Sequence, residues 1–344
     1  MNSNDLYNAL SHIKIGKNIP LYTHEYCETL VPLINDINQL KREKNAIILA
    51  HSYVNPEILH AVADFTGDSF ELSKQAKTTD ADMIVFSAVK FMAETAKLLN
   101  PNKAVLIPSK VNGCSLADSI TASEVRALKS THPEYTFICY INTSAAVKAE
   151  CDVTVTSSNV YDIVANHPNQ YIYFLPDKLM AQNITLEMEC RNIQKTIKYT
   201  DGSCYVHEEY TSDMIDYIRL KNPNVSVVCH PECSPDIINS SDFVGSTSQM
   251  IRFVETTNAP AYFLLTECGL SSRLQLEYPE KQFIGTCTLC RYMKSNSLNQ
   301  IKRVLQSPDP QDIISIEPTI QARASDCINA MFEYSNQQST VTQS

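Results

Sequence analysis

Three apolar segments about ninety residues apart constrain the fold of this chain more than any other feature, because each ends in two polar residues separated by one position. The segments are AIILAHSY (46–53), TFICYIN (136–142) and SVVCHPE (226–232), and the polar pairs are His51 with Tyr53, Tyr140 with Asn142, and His230 with Glu232. Alternate residues of a strand face the same side, so both members of a pair can line one cleft. A strict spacing of ninety puts His51 one position out of phase, and we nevertheless predict three copies of one unit.

Each copy continues with the same alternation of predicted strands and helices. A second strand signature recurs at 63–69, 151–157 and 241–247; third strands follow at 82–89, 171–177 and 261–267, and fourth strands at 103–108, 196–200 and 282–285. Strands that alternate with helices and are apolar on both faces indicate parallel sheets covered by helices. We therefore predict an α/β fold of three α/β/α sandwich domains, each with a small parallel sheet, related by pseudo-threefold symmetry around a central site.

The repeat also sets the predicted domain limits. They are 1–116 for the first repeat with its N-terminal helix, 117–206 for the second, 207–306 for the third, and 307–344 for a linker, a closing helix and a polar tail. Residues 1–45 read as helical, and helices capped by Ser123 and Ser212 are expected before the second and third opening strands. The polar tail, 335–344, is predicted to be disordered.

Three hydroxyl residues, Ser69, Ser157 and Thr247, end the second signature of each copy. We expect each where a strand gives way to a helix, whose free amides and dipole favour an anion such as a carboxylate or phosphate. A plain helix cap is the commoner role for one such residue. Their repetition in register with the polar pairs favours ligand binding, because cleft residues of open parallel sheets collect at the carboxyl ends of strands.

Cysteines follow each fourth strand: Cys114, Cys204, and the pair Cys287 and Cys290. If the three repeats close around a common axis, equivalent cysteines meet on it. Three thiolates would bind an iron–sulfur cluster or a metal ion, with one position open for a non-protein ligand. Two other cysteines, Cys139 and Cys229, lie inside apolar strands and are predicted to be core residues.

Composition excludes several classes of protein. A net charge of −10 without a basic stripe argues against nucleic acid binding. No apolar run approaches the roughly 20 residues of a membrane helix, and the start lacks a secretory or transit pattern, so a reducing cytoplasm is the expected compartment. The 12 cysteines are therefore expected as metal ligands or core residues rather than as a disulfide framework.

The motifs AHSY, GDS, FMAETAK, NGCSLADS, YINTSAAVKA, TSSN, CYVHEEY, HPEC and DFVGSTSQMIR, in this order, resemble those of the quinolinate synthase (quinolinate synthetase A) family over nearly the whole chain. The resemblance implies three α/β domains around a [4Fe-4S] cluster held by three cysteines. It also implies a transferase that condenses iminoaspartate with dihydroxyacetone phosphate to quinolinate, losing phosphate and two waters, in de novo NAD biosynthesis. An aspartate-oxidising enzyme in transient contact would supply the iminoaspartate.

The resemblance further implies the site residues. The cluster ligands are Cys114, Cys204 and Cys290, and the active-site residues are His51, Tyr53, Ser69, Tyr140, Asn142, Ser157, His207, His230, Glu232 and Thr247. His207 alone is not singled out by the repeat; three residues after Cys204, it reaches the same cavity or supports a metal ligand from outside. We expect Glu232 to be the general base, facing Tyr53 across the axis, with Tyr53 and His51 as proton donors.

Two positions depart from the family pattern. Cys287 makes a CxxC with Cys290, and Arg291 stands where the family usually has proline. Cys287 is a spare ligand, a redox partner of Cys290, or neither. Two other functions stay open on sequence grounds: an iron–sulfur regulator or sensor without catalysis, and a zinc-dependent aldolase-like lyase.

Overall fold

The computed structural model describes residues 1–15, 19–285 and 288–341, and the first elements precede the repeats. They are helix α1 (Ser3–Leu10), the antiparallel strands β1 (Lys14–Ile15) and β2 (Ile19–Pro20), and helix α2 (His24–Glu43). The prediction of helix over 1–45 is thus right for α1 and α2 and wrong for the short strand pair. Strands of two residues carry too little alternation to be recognised in a sequence.

The first repeat forms a four-stranded parallel sheet with connecting helices. Its elements are β3 (Ala46–His51), α3 (Pro56–Ala61), β4 (Phe65–Gly67), α4 (Ser69–Thr78), β5 (Met83–Ser87), α5 (Lys90–Leu99) and β6 (Ala104–Leu106). A single 3₁₀ turn, Ala117–Ser119, leads to the second repeat.

The second and third repeats follow the same plan. The second contains α6 (Ala122–Thr131), β7 (Thr136–Tyr140), α7 (Ala145–Lys148), β8 (Val153–Val155), α8 (Val160–Asn166), β9 (Tyr171–Leu175), α9 (Lys178–Cys190) and β10 (Thr196–Tyr199). The third contains α10 (Tyr205–Glu208), α11 (Ser212–Lys221), β11 (Val225–Cys229), α12 (Pro235–Ser240), β12 (Phe243–Val244), α13 (Thr247–Thr256), β13 (Ala261–Leu265), α14 (Gly269–Glu277), β14 (Phe283–Ile284) and α15 (Arg291–Lys294).

All three sheets have the same strand order. The second strand of the repeat lies at one edge, followed by the opening strand, the third strand and the fourth strand, and every pairing is parallel. The predicted α/β architecture with three parallel sheets is confirmed. Because the strands are parallel, their carboxyl ends all lie at the same end of the sheet. The loops at this end are where open α/β sheets form binding sites.

The central strands of the sheets are buried on both faces, as their apolar sequences require. Strand β13 is buried along its whole length, and Cys139 and Cys229 have no exposed surface, which confirms that these two cysteines belong to the core. Helix starts differ in detail from the prediction. Thr121 and Thr211, not Ser123 and Ser212, are the caps of α6 and α11, and Thr121 forms a reciprocal capping box with Glu124.

The C-terminal segment returns to the first two repeats. Helix α16 (Leu298–Gln306) packs against α2, and a 3₁₀ turn, Pro310–Asp312, leads to α17 (Pro318–Val341), which packs on α7, β8 and α5. Between them, Ile313 pairs antiparallel with Leu106 at the edge of the first sheet. The predicted linker therefore extends a sheet, and the predicted disordered tail is helical as far as Val341. None of the helices described combines the length and apolar character that a membrane crossing needs.

Candidate functional site

A central cavity of about 80 Å³, open at its mouth, brings together all the predicted active-site residues and the three predicted cluster ligands. Its lining includes His51, Tyr53, Ser69, Cys114, Tyr140, Asn142, Ser157, Cys204, His207, His230, Glu232, Thr247 and Cys290. The lining comes from all three repeats, because the carboxyl ends of the strands in the three sheets face the same space.

The three polar pairs occupy the same place in their sheets. The last residue of each opening strand paired with the third strand is Ala50, Cys139 or Cys229. His51, Tyr140 and His230 directly follow these residues, so they are structurally equivalent. The one-residue offset in sequence spacing therefore does not change the register of the pairs.

The histidine pairs also share a local turn. The ring Nδ1 of His51 accepts a hydrogen bond from the Tyr53 amide at 3.3 Å, and Nδ1 of His230 accepts one from the Glu232 amide at 3.3 Å. Each histidine ring thus binds the backbone amide of the other member of its polar pair. This turn points both side chains of a pair into the cavity.

The three hydroxyl residues lie near helix starts, although not in identical positions. Ser69 and Thr247 are the first residues of α4 and α13, whereas Ser157 precedes α8, which begins at Val160. The caps themselves are the preceding or following polar residues, Asp68, Asn159 and Ser246. The hydroxyls that the sequence singled out are therefore not the capping groups.

Asp68 is a cavity residue that sequence reasoning missed. One of its carboxylate oxygens accepts from the amides of Phe70 and Glu71 at the start of α4. The other accepts from the Ser246 hydroxyl at 3.1 Å and from the Ser248 amide at 3.4 Å. One buried carboxylate thereby joins the starts of two helices from different repeats.

A chain of hydrogen bonds connects the predicted acid–base residues. Glu232 accepts from the Tyr140 hydroxyl at 2.7 Å and contacts His207 Nδ1 at 3.1 Å. The other end of this chain of hydrogen bonds is Tyr53, whose hydroxyl contacts Thr247 Oγ1 at 2.9 Å.

Thr266 is the middle of this chain and was not singled out by the sequence. Its Oγ1 lies 3.1 Å from His207 Nε2 and 2.7 Å from the Tyr53 hydroxyl. Glu232 and Tyr53, which were expected to face each other across the axis, both line the cavity and are connected through His207 and Thr266.

Burial controls the charges of this network. It lowers the pKa of His51 to about 3, with a further lowering by the charge of Arg273, and it lowers the pKa of His230 to about 3. Both rings are therefore neutral near pH 7. Burial likewise raises the pKa of Tyr53 well above its usual value, so this hydroxyl keeps its proton.

Glu232 is the ionised member of the network. Burial opposes its negative charge, but the charge and hydrogen bond of His207, with His230 and Tyr140, outweigh burial and hold its pKa below the usual range. The His207 and His230 rings stack with their centroids 4.8 Å apart. The hydrogen-bonded chain thus has one carboxylate, Glu232, in contact with a neutral hydroxyl donor and with imidazoles that can exchange a proton with it.

The three predicted cysteine ligands are held in equivalent local structures. Each precedes a short helical turn, namely the 3₁₀ turn at 117–119 for Cys114, α10 for Cys204 and α15 for Cys290. The sulfur of each is hydrogen-bonded by the amides two and three positions further on. These amides favour a thiolate at the start of the turn.

Burial nevertheless has the largest effect on the pKa values of the three thiols. It raises the pKa of Cys114 to about 12 and also raises the pKa values of Cys204 and Cys290. Three soft sulfur donors that line one cavity with amides directed at them suit an iron–sulfur cluster or a soft metal, whose positive charge would stabilise the thiolates. Cys287 lies outside the described residues.

A second donor group overlaps the first. Ligand atoms of Cys204, His207 and Glu232 all lie within 4.8 Å of one another. Sulfur, imidazole and carboxylate donors together are also a set that zinc accepts. The cavity is therefore suited to a metal centre by two overlapping groups of residues.

Glu267 was also missed and is 1 % exposed at the edge of the cavity. Its carboxylate accepts from the amides of Gly269 at 2.6 Å and Cys290 at 3.2 Å, and Lys294 Nζ lies 3.5 Å away. Thr266 and Glu267 end the third predicted strand of the third repeat. Their polar character was visible in AYFLLTE, and Asp177 ends the second copy, YIYFLPD, in the same way, but the first copy ends in Ala88 and Val89, so the repetition did not mark them.

Comparison with known proteins agrees with this geometry. The family model described as quinolinate synthetase A protein matches residues 35–333. Quinolinate synthase 2 of Mesorhizobium japonicum is 45 % identical over 291 residues, which cover 85 % of this chain and 88 % of the relative. The quinolinate synthase of Xylella fastidiosa is 44 % identical over 273 residues, 79 % of each chain, and that of Caulobacter vibrioides is 40 % identical over 296 residues, 85 % of this chain and 79 % of the relative. The chain therefore belongs to the quinolinate synthetase A family.

Proposed function

We propose that this protein is a quinolinate synthase that condenses iminoaspartate with dihydroxyacetone phosphate, with loss of phosphate and two waters, as a transferase of de novo NAD biosynthesis. The observation that carries the proposal is the meeting of three equivalent cysteines with three equivalent polar pairs in one cavity. A structural protein of this fold has no need for that combination. An aspartate-oxidising enzyme in transient contact is the proposed source of iminoaspartate, and the cytoplasm is the proposed compartment.

Cys114, Cys204 and Cys290 are the proposed ligands of a [4Fe-4S] cluster. Such a cluster, when bound by three cysteines, supplies an iron without a protein ligand that acts as a Lewis acid and assists the loss of substrate oxygen as water. The donor chemistry supports this assignment, since all three sulfurs line the cavity and receive amide hydrogen bonds.

Neutral hydrogen-bond donors are the proposed binding groups for the dicarboxylate substrate. The described lining of the cavity contains no lysine or arginine, so recognition there cannot use a cationic side chain. Ser157, Thr247 and Asn142 are assigned to the carboxylates, together with Ser69 and Tyr140. Neutral His51 and His230 add ring N–H groups, since burial keeps both histidines uncharged near pH 7.

Proton transfer is assigned to the hydrogen-bonded chain from Glu232 to Tyr53. Glu232, ionised and bonded to His207, accepts the proton that leaves the substrate carbon, and His207 shares it through Nδ1. Nε2 of His207 faces Thr266, which contacts the Tyr53 hydroxyl. A proton can therefore reach Tyr53, which with His51 donates to the leaving oxygen.

The test is anaerobic purification, analysis of iron and sulfide, and an assay for quinolinate from iminoaspartate and dihydroxyacetone phosphate. We expect a brown protein that forms quinolinate and loses colour and turnover in air. Replacing Cys114, Cys204 or Cys290 by serine should abolish both, whereas Cys190→Ser, a change at an exposed cysteine outside the site, should alter neither. A brown protein without turnover would favour an iron–sulfur regulator or sensor.

A zinc-dependent lyase is the second candidate, because Cys204, His207 and Glu232 form a donor set that zinc accepts. Metal analysis separates the two functions. A colourless protein with one zinc ion per chain and no bound sulfide would replace the cluster proposal with this one.

A further inference from the structure

The backbone around Cys290 is held from both sides by one tyrosine hydroxyl. Tyr205 donates to the carbonyl of Leu289 at 3.2 Å and accepts from the amide of Arg291 at 2.8 Å. Leu289 and Arg291 are the residues that flank Cys290 in the chain. Tyr205 itself follows Cys204, so this contact ties the second cysteine segment to the third.

A second side chain, that of Glu267, binds the backbone amide of Cys290 itself. The carboxylate of Glu267 accepts the amide hydrogen of Cys290 at 3.2 Å. Glu267 also lies 3.5 Å from Lys294 Nζ, which donates to the carbonyl of Tyr53 at 2.6 Å. Three successive backbone groups around Cys290 thus have side-chain partners from α10 and from the segment that follows β13.

This arrangement is specific to the third cysteine. Within the described ranges, the side-chain hydrogen bonds nearest Cys114 and Cys204 in the chain involve other backbone groups, such as the carbonyls of Ser109, Leu116 and Pro176. The third segment also differs in sequence, because CTLC places a second thiol, Cys287, three residues before Cys290. A site that can choose between two thiols needs a means of presenting one of them.

We propose that Tyr205 and Glu267 are positioning residues that select Cys290, rather than Cys287, as the third sulfur ligand. The inference rests on the proposed function, since it requires that the cluster occupies the three-cysteine site. Fixing the backbone on both sides of Cys290 directs its sulfur into the cavity before any metal binds. Selection then follows from preorganisation, because a thiol whose backbone is already fixed towards the cavity binds without the cost of ordering that backbone.

The first variant is Tyr205→Phe, which removes both flanking hydrogen bonds and keeps the ring. Tyr292→Phe is the matched control, because the hydroxyl of Tyr292 contacts the side chain of Arg291 and not the backbone of Cys290.

Arg291 offers a second, backbone-level test. Arg291→Pro removes only the amide hydrogen that Tyr205 accepts. Proline is tolerated there, since Arg291 is the first residue of α15 and Cys290 is extended, with φ −81° and ψ 104°. Arg291→Ala keeps the amide and is its control.

The measurement is anaerobic alkylation of the brown protein with iodoacetamide, with peptide mass spectrometry of Cys287 and Cys290, and the rate of iron release to a chelator. In the unmodified protein we expect Cys290 to be protected and Cys287 to be labelled. Tyr205→Phe should transfer part of the protection to Cys287 and speed iron release at least about fivefold, the factor expected for one neutral hydrogen bond. Arg291→Pro should shift both readouts in the same direction, and the two controls should match the unmodified protein.

The outcomes separate this inference from the proposed function. Unchanged labelling and iron release in Tyr205→Phe and Arg291→Pro would overturn the positioning role while leaving the cluster assignment intact. A protein that never turns brown, with Cys290 labelled as readily as Cys287, would instead overturn the proposed function on which the inference rests.

Discussion

Replacing Thr266 by valine tests whether the hydrogen-bonded chain carries protons. Valine has nearly the shape of threonine, so the change removes the hydroxyl with little loss of packing. Thr266 is 1 % exposed, and its Oγ1 contacts Tyr53 at 2.7 Å and His207 at 3.1 Å. Two buried hydrogen bonds are therefore lost, while Tyr53 keeps its contact with Thr247.

The expected cost in stability is modest. Each neutral hydrogen bond contributes about 1 kcal/mol, and His207 Nε2 loses its partner, so the free energy of unfolding should fall by about 2–3 kcal/mol. Domains have about 5–15 kcal/mol of stability, so Thr266→Val stays folded at 25 °C. Urea denaturation of the variant and the unmodified protein measures this difference.

The expected effect on catalysis is larger. Positioned acid–base groups contribute about 10²–10⁴ in rate, and interrupting their connection should lower kcat about 10²-fold with little change in KM. Thr266→Ser keeps the hydroxyl and should retain most of the turnover. If Thr266→Val forms quinolinate with kcat within about threefold of the unmodified enzyme, protons do not move through this chain, and Glu232 and Tyr53 act independently.

Three further predictions concern charge. Glu232→Gln should keep iron and sulfide but lower kcat by about 10²–10⁴, and near-normal turnover would remove Glu232 as the base. Asp312→Asn breaks a two-point contact of 2.5 and 2.8 Å with Arg303 and should lower the free energy of unfolding by about 1–2 kcal/mol in urea, whereas an unchanged midpoint would show the pair to be neutral. Because the pKa values of His51 and His230 are held at about 3, the unfolded chain binds more protons below pH ~6.5. In the metal-free protein these two rings should therefore contribute a loss of stability of up to about 2.7 kcal/mol per pH unit as the pH falls from about 6 to 4.5, whereas the buried carboxyls of Glu57, Asp177 and Glu267, whose pKa values are raised, act in the opposite direction. NMR titration of the two imidazole rings tests this directly, and midpoints near pH ~6.5 would show that the fold does not hold the rings neutral.

The fold was predictable because its main signals repeat. Apolar segments of five or six residues followed by polar pairs occur three times, and parallel sheets bury such segments on both faces. The polar pairs and the cysteines could be placed in one cavity for the same reason. Their individual roles, and the domain limits, stay predictions.

Thr266 was missed because it carries no repeated signal. Thr266 acts through partners 59 and 213 positions away in the chain, and no local pattern reveals such contacts. Asp68 was visible within GDS, but its bond to Ser246 of another repeat depends on how the repeats pack. The pairing of residues near Ile313 with the first sheet involves too few residues to produce strand periodicity.

That C-terminal pairing has a consequence for synthesis of the protein. Strand β6 is the edge of the first sheet, and it is covered by Ile313, whose neighbours also bond to it through the Ile107 and Ile314 amides. The covering residues are translated roughly 200 positions after the strand, which at about 5–20 residues per second is a delay of about 10–40 s. Throughout this interval the nascent first domain presents an open strand edge, a template for pairing with other chains. Chaperone occupancy on the ribosome should therefore be concentrated on this repeat and end when residues 312–314 emerge.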